Sequence, residues 1–72
     1  MAPSLGHDLP MTARAELSSL TSTLEELTRR VTRLAEQARA AADEELAVEL
    51  FGVERALTGA LRRLNRVEAP RR

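Results

Sequence analysis

No cysteine, tryptophan, tyrosine, lysine or isoleucine occurs in this chain, and Phe51 is its only aromatic residue. Without cysteine, neither a disulfide nor a thiolate metal site can staple the fold. His7 is the single histidine and sits between Gly6 and Pro10, so no histidine cluster can hold zinc, and no metal or other cofactor is expected. Only three prolines and three glycines are present, and both Pro3 and Pro10 fall in the first ten residues. No apolar run approaches the roughly 20 residues of a membrane span. The opening MAPSLGHDLP has neither a basic n-region nor a cleavage pattern, so it does not read as a signal peptide, and a cytoplasmic protein is expected.

Charge of one sign is also missing. Eleven acidic residues balance eleven basic ones, all arginine, so no net charge draws the chain to nucleic acid or acidic lipid. With twelve alanines and twelve leucines beside those arginines, the composition resembles GC-rich bacterial coding.

What remains is a helical pattern. Leu17, Leu20, Leu24, Leu27, Val31, Leu34, Ala38 and Ala41 step by three and four residues, which places them on one face of an α-helix. Leu46, Leu50, Val53, Leu57, Ala60, Leu64 and Val67 form a second such series. Continued past Ala41, the first series would require Glu45, Val48, Gly52 and Arg55, so the phase jumps near Asp43. One unbroken helix cannot bury both stripes against one surface. The pattern predicts an all-α antiparallel two-helix hairpin, with helix 1 over about 12–41 and helix 2 over about 44–67. Residues 1–11 read as a disordered leader and 68–72 as a basic tail. A continuous bent helix is the alternative, because the join Ala40, Ala41, Ala42 holds neither glycine nor proline.

Capping chemistry agrees with the break. Thr12 can N-cap helix 1, and Ser22 with Glu25 or Thr23 with Glu26 offers a capping box for a later start. Asp43, Glu44 and Glu45 bring carboxylates to the amide donors and positive dipole end of helix 2. Both helices carry acids early and arginines late, so antiparallel packing sets opposite charges side by side. Exposed pairs contribute only about 0.2 to 1 kcal/mol each, so this gradient selects orientation more than it adds stability.

Two amphipathic helices make a core one side chain thick. Such a core rarely supplies more than about 3 to 5 kcal/mol, so association is expected: a homodimer forming a four-helix bundle, or docking on a helical protein partner. The expected hairpin core is Leu17, Leu20, Leu24, Leu27, Val31 and Leu34 against Leu46, Leu50, Val53, Leu57 and Leu64. With Leu50 and Leu57 at heptad position a, Phe51 falls at b and Val48 at f, outside that seam. Val48 and Phe51, with the small row Gly52, Ala56 and Gly59, are the expected protein interface. A glycine inside a helix costs about 1 kcal/mol relative to alanine, so two of them suggest close approach of another backbone.

Catalysis is not expected. No His, Cys or Tyr lies in the helical region, and neighbouring Glu25 and Glu26, or Glu44 and Glu45, diverge around the helix. The chain reads instead as a protein-interaction module: an adaptor, regulator or assembly subunit. Two alternatives remain. Arg62, Arg63, Arg66, Arg71 and Arg72 make the C-terminal end basic, a weak nucleic-acid signal without stacking aromatics. In helix 1, Glu26, Arg33 and Gln37 have spacing that resembles part of the cyclic-dinucleotide motif of an actinobacterial anti-sigma family built as an antiparallel helical hairpin. Arg30 and Ala41 replace that motif's Ser and Asp, so three of its five positions match. The resemblance implies a regulator binding a cyclic dinucleotide and a sigma factor, with Glu26, Arg33 and Gln37 as ligand contacts.

Overall fold

The computed structural model describes residues 11–69; residues 1–10 of the expected leader, His7 among them, and the tail arginines Arg71 and Arg72 lie outside them, while Met11 is helical. Two helices fold back on each other: α1, Met11–Ala40, and α2, Glu44–Glu68. The continuous alternative does not form. Helix α1 begins one residue ahead of Thr12, which therefore lies inside it, and it runs unbroken through the Ser/Thr-rich stretch where the capping boxes would have started it later. The leucines on either side hold that stretch helical against its weak propensity.

The turn closes without glycine. Ala42 takes a positive φ of 65°. Its N–H donates to the Arg39 carbonyl at 2.9 Å, and the Asp43 N–H donates to the Ala38 carbonyl at 2.8 Å. Those two bonds make a Schellman end, with alanine in the left-handed position usually given to glycine. Asp43 then caps α2, its carboxylate accepting from the Leu46 N–H at 3.3 Å. Glu44 and Glu45 occupy the first turn of α2, where the dipole favours negative charge. At the far end, Ala69 leaves the helix with φ −64° and ψ 142°, the extended backbone that a following proline demands.

The seam does not run along the centre of the leucine stripe. Its buried residues are Thr21, Ala35 and Ala38 on α1 and Ala47 on α2. Beside them, half-buried, lie Leu17, Leu24, Thr28, Val31 and Thr32, facing Leu50, Phe51, Glu54, Leu57, Thr58, Leu61 and Leu64. At 100° per residue, this line sits roughly 60 to 80° round each helix from the stripe centre. Two physical features favour it. A short turn forces the helices together at its end, and Ala35, Ala38 and Ala47 are small enough to permit that approach. Farther along, Thr21, Thr28 and Thr32 donate their hydroxyls to the carbonyls of Leu17, Leu24 and Thr28 at 3.1, 2.7 and 3.0 Å. With its hydroxyl satisfied by its own helix, each threonine can pack in the seam as a small apolar group.

Candidate functional site

The rotation of the seam leaves the other half of each stripe open. Leu20, Leu27 and Leu34 on α1, with Leu46, Val53 and Val67 on α2, are between 41% and 53% exposed. Five of these, all but Val67, were expected in the hairpin core. No large side chain among the described residues is fully buried. In heptad terms, the a residues and the e edge close the hairpin, while the d residues stay outside.

Both open stripes face the same way. Each is displaced from the seam in the same rotational sense about its own helix, and because the helices are antiparallel, those displacements point to one side of the pair. A shallow hollow of about 400 Å³ confirms it near the turn, where Leu34 and Ala38 of α1 and Ala41 of the turn share a wall with Leu46 and Leu50 of α2. The result is a continuous apolar face, floored by half-buried leucines and rimmed by open ones. Glu16, Thr23, Arg30 and Gln37 edge it on α1, and Glu49, Ala56 and Arg63 edge it on α2.

The expected interface residues divide. Val48 is 65% exposed, and Ala56 is exposed as well. Phe51 differs from its expected outward position. It is half-buried, and the Arg39 guanidinium of α1 lies over its ring, 5.2 Å from the centroid. The rotation of α2 brings position b toward α1, and the cation covers the ring face that the thin seam leaves open. Gly52 and Gly59 have no intramolecular close approach to explain them, since a Cβ on either would meet nothing within 4 Å.

Polar chemistry on the surface is sparse. Glu26 accepts from Arg29 at 3.0 Å, and that hydrogen bond, with the charge of Arg29, holds the Glu26 carboxyl below its ordinary value. Of the possible ligand residues, Glu26 is thus already engaged, while Arg33 and Gln37 are exposed on the same helix. Arg63, Arg66 and Val67 border an open depression of about 370 Å³ at the basic end. In the seam, the Thr58 hydroxyl donates to Glu54 at 3.3 Å. Among the described residues, no group of His, Asp and Glu is placed to hold a metal ion, and no helix is long and apolar enough to cross a membrane.

The sequence pattern contained the signal for the seam, though hydropathy hid it. Thr21, Thr28 and Ala35 recur every seven residues, as do Ala47, Glu54 and Leu61, and both series flank the a positions. Comparison with known proteins adds no relative: no family model matches the chain, and no curated protein or solved structure matches it.

Proposed function

We infer that this chain is a protein-binding module without chemistry of its own, acting through the open apolar face of the hairpin. The observation that carries this reading is the row of six large apolar side chains left open on one side of a hairpin among whose described residues no large side chain is fully buried. Contiguous exposed apolar surface rimmed by polar residues is the mark of an interaction site. Its shape, two parallel ridges with a trough between them, suits another amphipathic helix or pair of helices. The module is cytoplasmic and bacterial in this reading, an adaptor, regulator or assembly subunit whose binding surface is the heptad stripe itself.

A paired substitution tests it. Leu20→Glu with Leu34→Glu places two carboxylates on the face at positions the hairpin does not bury. The variant should keep its helical circular-dichroism spectrum and lose association, whether with itself or with a helical partner. Association equal to that of the unaltered chain would refute the reading.

A further inference from the structure

We propose that the partner on the open face is a second copy of this chain, stacked face to face about a two-fold axis that runs along the rod, so that both turns lie at the same end. This rests on the reading of the open face as a binding surface. A two-fold axis of that direction keeps every residue at its own height and sets α1 of one copy antiparallel to α2 of the other. The register is therefore not free. It is the register that the short turn already imposes inside the hairpin.

At that register, the stripes match along their whole length. Leu20 comes level with the partner's Leu64, Leu27 with the partner's Leu57, Val31 with the partner's Val53, and Leu34 with the partner's Leu50. Each layer sets an a residue against a d residue, the arrangement antiparallel packing needs. The d residues that the hairpin leaves open are thereby closed over by the a residues that form its floor.

The rims agree in size and in charge. Along the outer edge, Thr23, Arg30 and Gln37 come within about 3 Å in height of the partner's Arg63, Ala56 and Glu49. There the long Arg30 meets the partner's Ala56, whose small side chain leaves room for it. Just outside that edge, Arg33 lies about 3 Å in height from the partner's Glu49 and Glu26 about 7.5 Å from the partner's Arg63, opposite signs in both cases. Gln37 can donate to the partner's Glu49. Stacking the hairpins with their turns at opposite ends would instead pair α1 with the partner's α1, at a register that the turn does not impose.

The test uses the full chain and exploits its lack of cysteine. Sedimentation over a concentration series should give a dimer, and a spin label on Ala40→Cys should report a separation within about 20 Å, because neighbouring helix axes in a bundle lie about 10 Å apart. Turns at opposite ends would place the labels more than about 30 Å apart at 1.5 Å rise per residue. Leu27→Glu should weaken the dimer at least about a hundredfold, and Ala56→Arg, which sets an arginine beside the partner's Arg30, should weaken it while the hairpin's helix content holds. A dimer with distant labels, or one indifferent to Ala56→Arg, overturns the proposal and leaves the binding face standing. A monomer that binds an apolar dye, and loses that dye on Leu27→Glu, overturns the second copy alone. A monomer that binds no dye overturns both.

Discussion

Replacing Ala42 by glycine separates a folded-back hairpin from any continuous helix by the sign of one stability change. Ala42 has φ 65°, and both turn-closing hydrogen bonds depend on that conformation. A left-handed conformation costs a residue with a Cβ roughly 1 to 2 kcal/mol, and glycine removes the clash between Cβ and the following carbonyl. Glycine also gives the unfolded chain more freedom, which offsets about 0.5 to 1 kcal/mol of the gain. The expected net result is stabilisation by about 0.5 to 1 kcal/mol. For a chain of this size, that raises the melting temperature by roughly 3 to 6 °C. Thermal melts followed by circular dichroism at one fixed protein concentration measure it, since association would otherwise shift the midpoint. Inside a continuous helix, the same change would cost about 1 kcal/mol. Ala42→Val provides the opposite control, because a β-branched side chain at positive φ is a genuine outlier. A lowered melting temperature for Ala42→Gly would show that the turn is not built on this alanine.

Asp43→Ala removes the acceptor for the Leu46 N–H and should cost about 1 kcal/mol by chemical denaturation, while Asp43→Asn, itself a good cap, should stay within a few tenths of the unaltered chain. A double-mutant cycle on Arg39→Met and Phe51→Leu should return a coupling of about 0.5 to 1 kcal/mol for a cation over a half-exposed ring; additive effects would mean the two side chains do not interact. Glu26 has its folded pKa lowered below 4.5 by the hydrogen bond and charge of Arg29, so its contribution is present above that value and lost as pH falls through the lower folded value. Melting temperatures of the unaltered chain and Glu26→Gln should accordingly differ near neutral pH and converge in acid, the difference staying small because the pair is exposed. A gap that widened on acidification would refute the assignment.

The two helices, the break between them and the cap at Asp43 were all legible in the sequence, because each rests on local physics. Leucine spacing sets the helical face, the phase jump at Asp43 sets the fold-back, and carboxylates seek free amides at a helix start. The azimuth of the hairpin seam was not legible, because it depends on how close two particular backbones can come. Hydropathy ranks Thr21, Thr28 and Ala35 below the leucines beside them, yet a threonine whose hydroxyl is bonded to its own helix packs as a small apolar group, and alanine permits approach where leucine forbids it. Phe51 was misplaced for the same reason. Its distance from the seam was counted from the leucines, while the seam followed the small residues.

That choice of seam explains why the apolar stripes are wider than a hairpin requires. A helix with a single neighbour needs one contact edge, whereas a helix in a four-helix bundle meets two neighbours and needs an edge on each side of its a and d rows. Each helix here has both edges. Thr21, Thr28 and Ala35, with Ala47, Glu54 and Leu61, form the inner ones and are spent on the hairpin. The outer ones run through Thr23, Arg30 and Gln37 and through Glu49, Ala56 and Arg63, and within the single chain they meet only solvent. An amphipathic helix evolved for one neighbour would concentrate its leucines on the inner side. These helices set Leu20, Leu27, Leu34 and Leu46 on the open side of the seam, where the proposed second layer of helices would bury them.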